Sequence, residues 1–231
     1  MNTFVYASGK IVLTIPVAFL LAVFLNKKQR GSSFLKTVYF MPTIISISVM
    51  SLIFYLIFNT YNGTLNIMLK NAGIITESIG WLSKEHAMLT VIIVGAWGGI
   101  GNYMVYFLAG LQSIPKEVYE SADIDGTNGW QRMLYITLPM MGSVLQFILM
   151  LAILIAFQDM QSIMVLTEGG PSSATEVMFL YVYKLFFPIS AGEAIPPEYG
   201  YGAATGIASS AIVGVFTCIY LYLSRKLNEI Y

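Results

Sequence analysis

The chain has 231 residues, of which 57% are hydrophobic and only 10% charged, with a mean hydropathy of +0.72. Soluble domains carry about 25% charged residues, so a water-soluble fold is excluded and the chain reads as an all-α integral membrane protein. Lys+Arg and Asp+Glu are equal at 12 each, which leaves no basic footprint for nucleic acid; one cysteine and one histidine supply no disulfide framework and no metal site.

Residues 4–25 form the first apolar run, long enough to cross a hydrocarbon core of about 30 Å. Its only basic residue, Lys10, lies inside the run and no small-residue cleavage site follows, so it reads as a span rather than a signal peptide. Lys10 is expected near the outer end, snorkelling to the interface, and Pro16 is a candidate kink. Lys27, Lys28, Arg30 and Lys36 then mark a short basic turn. Residues 38–58 read as a second span with Pro42 near its start. Residues 59–84 form a loop holding Gly63-Thr64-Leu65-Asn66 and Ile79-Gly80-Trp81-Leu82, readable as a plain connection with an interfacial tryptophan.

Residues 87–108 are the third span, where Gly95 and Gly99 four apart permit close helix contact. Asn102 and Tyr103 bring polar groups into it, and these either line a wet path or bond between helices. A fourth span covers 140–157, with Gln146 in its interior and Gln158-Asp159 at its outer end. Gly169-Gly170-Pro171 is a turn, and 178–187 is too short to cross, reading as an amphipathic or interfacial helix. The last span is 202–223, where Gly202, Gly206, Ser210, Gly214 and Cys218 recur every fourth residue as a packing seam.

The longest ordered polar interruption is residues 112–139. Ser113 is placed to cap a first short helix with Pro115 near its first turn. Gly126 can close that helix in the left-handed region. Thr127 or Asn128 can cap a second helix from Gly129 to about Thr137, and Pro139 bends the chain into the fourth span. The result is a helix–turn–helix knuckle between two spans.

Within the knuckle, Glu120-Ser121-Ala122, then Gly126, then Ile136 and Leu138-Pro139 resemble the EAA loop of the membrane subunits of binding-protein-dependent ABC importers. Ser121 stands where that family usually has alanine. Leu111-Gln112-Ser113-Ile114-Pro115, Ile124-Asp125-Gly126 and the segment from Thr167-Glu168-Gly169-Gly170-Pro171 to Tyr181-Val182-Tyr183 resemble the carbohydrate branch (maltose, multiple-sugar and glycerol-phosphate types). Gly63-Thr64-Leu65-Asn66 is similar to the half of the permease pair related to the larger maltose-transporter subunit. The resemblance implies the type I importer permease fold as a single domain, here with about five spans. The opening residues align with the start of the family's second helix, so the first helix is expected to be lacking.

What the resemblance implies for function is specific. Glu120, Ser121, Ala122, Asp123, Gly126, Ile136, Leu138 and Pro139 would dock a cytoplasmic ATP-binding subunit dimer, which uses ATP and Mg. Glu120 would be the charged anchor, with Ser121 and Ala122 giving a small contact surface. Glu120 could alternatively do no more than stabilise its own helix N-terminus, an effect of about 0.3–1 kcal/mol. This chain would bind no cofactor and have no catalytic residue. A second related permease subunit and an extracytoplasmic sugar-binding protein would be its other partners. Asn102, Tyr103, Gln146 and Asp159 are the candidates for the substrate path, with Asp159 alternatively a helix-end cap. The excess of Lys and Arg in the turn after span one, the knuckle and the C-terminal tail puts those parts in the cytoplasm, in a bacterial or archaeal cytoplasmic membrane.

Three rivals are weaker. An ion-coupled carrier or channel would carry intramembrane charges or an unwound segment, and the span interiors show almost no ionisable groups. A membrane enzyme would need convergent catalytic residues. A path for anionic substrates would need Arg or Lys deep in a span.

Overall fold

A computed structural model describes residues 1–27, 30–188 and 196–228, with side chains described to residue 224. Among them the structure is entirely helical. Four helical stretches are long and apolar enough to cross a membrane: Asn2–Asn26, Ala87–Gln112, Gly142–Thr167 and Tyr199–Ser224. Many of their large apolar side chains point outward, including Val12, Leu20, Leu89, Ile207 and Leu223. In water that would be an aggregation hazard; in lipid it is the expected surface.

The first helix, α1 (Asn2–Asn26), runs through Pro16 without a break. The expected second span does not form as one helix. It divides into α2 (Ser32–Ile44) and α3 (Ile47–Ile57), with axes 95° apart. Their lengths, about 20 and 17 Å at 1.5 Å per residue, are each short of the hydrocarbon core. Pro42 lies in the last turn of α2, and Ile45 and Ser46 take extended ψ values of 137° and 133°. Proline removes one ladder hydrogen bond and crowds the preceding turn, so the weakest point of the span is here.

After α4 (Thr64–Asn71) comes the central helix α5 (Ala87–Gln112). The sequence suggested a plain connection before it; the structure instead knots that loop around one buried amide. Asn66 donates to the carbonyls of Thr60 (3.1 Å) and Ile79 (2.9 Å), and accepts from the Ile79 N–H (3.2 Å) and the Trp81 indole (3.0 Å). All its donor and acceptor capacity is used, which makes a buried amide tolerable.

α5 is the hub. Its glycines let neighbours approach on two sides. A Cβ on Gly95 would lie 2.4 Å from the Tyr6 hydroxyl of α1, and one on Gly101 would lie 2.3 Å from the Tyr39 carbonyl oxygen of α2. Beyond the knuckle, α9 (Gly142–Gln158) and α10 (Gln161–Thr167) are joined at Asp159–Met160. The nine-residue α11 (Met178–Phe186) is too short to cross, and α12 (Tyr199–Asn228) closes the bundle. The small-residue seam of α12 meets this chain at one end only. Gly202 faces the Phe186 ring and Gly206 faces Val182, whereas nothing lies within 4 Å of a Cβ on Gly214, and Ser210 and Cys218 are exposed.

Two buried clusters occupy opposite ends. Phe107, Leu111, Ile114, Met141 and Ile148 pack beneath the knuckle; Tyr6, Val91, Val94, Ile163 and Leu180 pack at the other end. The α2–α5 approach is made by backbone, so it can give little. Gly101→Ala is expected to cost about 1–3 kcal/mol by overpacking. Gly99→Ala, whose Cβ would make ordinary contacts with the Thr14 methyl at 3.4 Å and the Tyr103 ring at 3.6 Å, is expected to be near neutral. Thermal unfolding of the two variants in detergent, followed by tryptophan fluorescence, checks the ordering.

Candidate functional site

Two places gather the residues that the sequence singled out. The first is the knuckle. α6 (Lys116–Ile124) begins after Pro115, and no side chain caps it. Ser113, expected as the cap, instead donates back to the Gly110 carbonyl at 2.8 Å. Proline at the start makes the cap dispensable, because one orphan N–H is already gone.

The end of α6 is tightly specified. Gly126 sits at φ +74°; its N–H donates to the Asp123 carbonyl and the Thr127 N–H to the Ala122 carbonyl. These are the paired bonds of a Schellman stop, and glycine adopts that φ without a Cβ penalty. Thr127 adds its hydroxyl to the Ala122 carbonyl at 2.8 Å. Asn128, the second of the two expected caps, then forms a reciprocal capping box with Gln131, both bonds being 2.9 Å.

The second helix is shorter than expected. α7 (Gly129–Arg132) passes into a wide π turn, Met133–Thr137, before α8 (Leu138–Met140). The Leu138 N–H reaches the Met133 carbonyl, which widens the turn where the Pro139 ring would otherwise clash. The two halves are clamped by the Asp123–Arg132 ion pair and by Tyr119 and Thr137, whose hydroxyls lie 3.3 Å apart. The knuckle can therefore move as one piece.

Its outer surface differs from the expectation. Glu120, Ser121 and Asp123 are exposed, but Ala122 is buried against the chain and cannot form a contact surface. Ile136 and Leu138 are half-buried and Pro139 is exposed. What the sequence reading missed is a set of bare apolar groups: Ile124, Tyr135 and Trp130 are 87%, 77% and 76% exposed. Large apolar residues in an otherwise polar segment were the available signal.

The second place is a cavity of about 190 Å³ at the α2–α3 break, lined by Pro42, Thr43, Ile45, Met50, Gly98, Asn102, Tyr103 and Ile155 together with Lys10, Asp159 and Ser162. Extended backbone at membrane depth is tolerated where it lines protein or a cavity, as Ile45 does. Lys10 does not snorkel. Its ammonium lies 2.5 Å from an Asp159 carboxylate oxygen, with the two side chains only 10% and 11% exposed. Tyr6 donates to the same carboxylate at 2.6 Å, and Ser162 lies 3.3 Å from its other oxygen. Lys10 lies about 12 Å along α1 by helix rise, and its bond to Asp159 holds the ammonium inside the bundle.

Three of the four path candidates, Asn102, Tyr103 and Asp159, line this cavity; Gln146 does not. Gln146 lies about 20 Å from Asp159 along the helix by rise per residue, beside α12. Its side-chain amide donates to the Ser224 carbonyl at 3.4 Å, and the Tyr220 hydroxyl donates to the Gln146 main-chain carbonyl at 2.7 Å. Two premises drawn from the sequence thus fail: an intramembrane charge pair and a broken helix are both present. They do not separate an importer from an ion-coupled carrier, and the decision rests on comparison with known proteins.

Residues 14–229 match the family described as the binding-protein-dependent transport system inner membrane component. The chain belongs to that family. The permease is 35% identical to the arabinooligosaccharides transport system permease protein AraP of Bacillus subtilis, covering 96% of this chain and 70% of that protein. It is 31% identical to the lactose transport system permease protein LacF of Rhizobium radiobacter, covering 97% and 74%. Both of these relatives are sugar transport permeases by name, and a third, 33% identical over 79% of this chain and 62% of that protein, is the sn-glycerol-3-phosphate transport system permease protein UgpA of Agrobacterium fabrum. The fold matches a chain in the crystal structure of a bacterial ABC transporter that imports the acidic polysaccharide alginate, with a TM-score of 0.86 over 97% of this permease and 77% of that chain. At 23% identity this shows the type I permease fold and no more.

The buried pair can be tested as a pair. Removing one partner of a buried ion pair leaves an uncompensated charge and costs about 3–5 kcal/mol, whereas replacing both with apolar groups is often neutral. Lys10→Met or Asp159→Leu alone is expected to lower the thermal midpoint sharply, and the double variant to restore most of it. A double-mutant cycle on detergent-solubilised permease measures this.

Proposed function

We propose that the permease forms one wall of a translocation path for a neutral, hydroxyl-rich sugar or oligosaccharide. An extracytoplasmic binding protein would deliver the sugar, and a separate cytoplasmic ATP-binding dimer docked on the knuckle would drive transport. The observation that carries the reading is the cavity at the α2–α3 break. Its only charged lining residues, Lys10 and Asp159, neutralise each other. The cavity therefore offers hydrogen-bonding groups without net charge, as Asn102, Tyr103 and Ser162 supply amide and hydroxyl. A neutral polyol fits that chemistry, and an anion gains nothing from a lysine already paired. The arabinooligosaccharide and lactose relatives support the same class.

The volume limits what one subunit does. Drug-sized ligand sites usually enclose about 300–1,000 Å³, and about 190 Å³ accommodates no oligosaccharide alone. A second related permease would supply the opposite wall. The bare end of the α12 seam, at Ser210, Gly214 and Cys218, leaves a surface for such a neighbour.

Coupling would pass through the knuckle. Its clamped helices present Glu120 one turn from exposed Ile124 on α6, and exposed Trp130 on α7, a mix of acid and apolar groups that suits a groove on a partner. Closure of the ATP-bound dimer would displace this rigid piece and shift the permease towards its outward-facing state. ATP and Mg belong to the partner, and this chain supplies no catalytic group. Lys27, Lys36, Lys116 and Arg132 at the knuckle end favour the cytoplasmic side of a bacterial or archaeal membrane for that end. Lys28 and the side chains of Arg225 and Lys226, counted towards the same orientation, lie outside the described residues.

Co-reconstitution with the ATP-binding subunits, the second permease and the binding protein in vesicles is expected to give ATP hydrolysis stimulated by one sugar of a panel. Glu120→Gln should reduce that stimulation about tenfold, the loss of one charge-assisted contact of about 1.4 kcal/mol. Undiminished stimulation would mean that Glu120 serves only its own helix, and absence of any stimulation by neutral sugars would contradict the substrate class.

A further inference from the structure

At the knuckle end, two adjoining cavities lie apart from both the membrane pocket and the exposed face of the knuckle. One, of about 440 Å³, is lined by Asn26, Lys27, Ser32, Lys36, Lys116 and Tyr119 among others. The second, of about 510 Å³, shares Asn26, Lys27, Leu111 and Tyr119 with it and adds Arg132. Among the described residues no lining residue of either is acidic. Among the described residues Lys27, Lys36 and Lys116 make no ion pair and no side-chain hydrogen bond; Arg132 is held by Asp123.

Three cations without counter-ions around one hollow make a positive site, and an anion between them would relieve their mutual repulsion. The place of the hollow says which kind. α1 ends at Asn26, α2 begins at Ser32 and α5 ends at Gln112, so the cavities sit at the ends of two helices long enough to cross a membrane and of the broken one between them. The floor is apolar, since Leu25, Leu111 and Ile114 are buried members of the cluster beneath the knuckle. The first turn of the thirteen-residue α2, with no side-chain cap at Gly31, adds backbone N–H groups and the positive end of its dipole.

We propose that these cavities form one site for a phosphate group, filled by the phosphodiester headgroup of an anionic phospholipid. The lysines would surround the phosphate, and Asn26, Ser32 and Gln112, which also lines the first cavity, would meet headgroup hydroxyls. Basic pockets between spans on the cytoplasmic side suit anionic headgroups. Lys116 and Tyr119 belong to α6, so the lipid would brace the first knuckle helix against the ends of α1 and α2. The site rests on the membrane-spanning fold and on the proposed cytoplasmic placement of this end, and does not require the sugar or the coupling reading.

Native mass spectrometry of the full chain in detergent tests the site, with dioleoylphosphatidylglycerol, dioleoylphosphatidylcholine and inorganic phosphate as probes. The glycerol lipid is expected to be retained in preference to the choline lipid, and less so as salt rises. Lys27→Gln/Lys36→Gln/Lys116→Gln should lose that retention roughly tenfold. The corresponding triple arginine variant should keep it, as should Lys70→Gln/Lys84→Gln at the opposite end. Equal retention of both lipids, or retention unchanged by the triple glutamine variant, would overturn the proposal. Inorganic phosphate displacing the glycerol lipid at equal concentration would assign the site to free phosphate and overturn the lipid as its source.

Discussion

Lys10 and Asp159 stand where neither could stand alone. A single charge at membrane depth costs several kcal/mol or more, and here each removes the other's penalty while Tyr6 and Ser162 satisfy the remaining carboxylate positions. The pair joins α1 to the α9–α10 joint across the face of α5, and the helix break at Ile45–Ser46 opens beside it. Because that break leaves backbone unsupported by a helical ladder, it has to line protein or a cavity. The ion pair, the broken helix and the cavity thus depend on one another.

The glycines of α5 make this arrangement possible. Gly95 admits Tyr6 and Gly101 admits the backbone of α2, so α1 and α2 close on the central helix at distances no side chain would allow. The opposite, knuckle end is rigid for a different reason. Local hydrogen bonds specify it residue by residue, with a left-handed glycine, a Schellman stop, a capping box and a π turn ahead of proline.

Much of this was legible in the sequence, and the failures are informative. The knuckle could be read because its signals are local: Gly126, Asn128 and Pro139 act on their immediate neighbours. The number of apolar segments was readable for the same reason. Contacts between distant segments were not. Nothing near Lys10 announces that Asp159, 149 positions away, will meet it, and by itself an intramembrane lysine near a helix end is correctly expected to snorkel. Asn66 was likewise read as part of a surface loop, because its partners at Ile79 and Trp81 come from beyond the next turn. The break after Pro42 was under-read because an apolar run gives no sign of direction, and proline in a membrane helix often only bends it. Helix periodicity alone does not say which face is covered, so it could not show that Ala122 is buried and that Gln146 lies beside α12.

The claim at the centre is that the cavity beside the α2–α3 break lies on the path that substrate takes. Cysteine accessibility tests it most directly. Asn102→Cys in a Cys218→Ser background would be assembled with its partner subunits in vesicles and exposed to a small membrane-impermeant thiol reagent, with and without ATP and transported sugar. Labelling at position 102 that rises or falls with nucleotide state, and that sugar slows, is the predicted result. Labelling that is absent in every state, or that ignores both nucleotide and sugar, would show that the cavity is closed packing between helices and would contradict the claim.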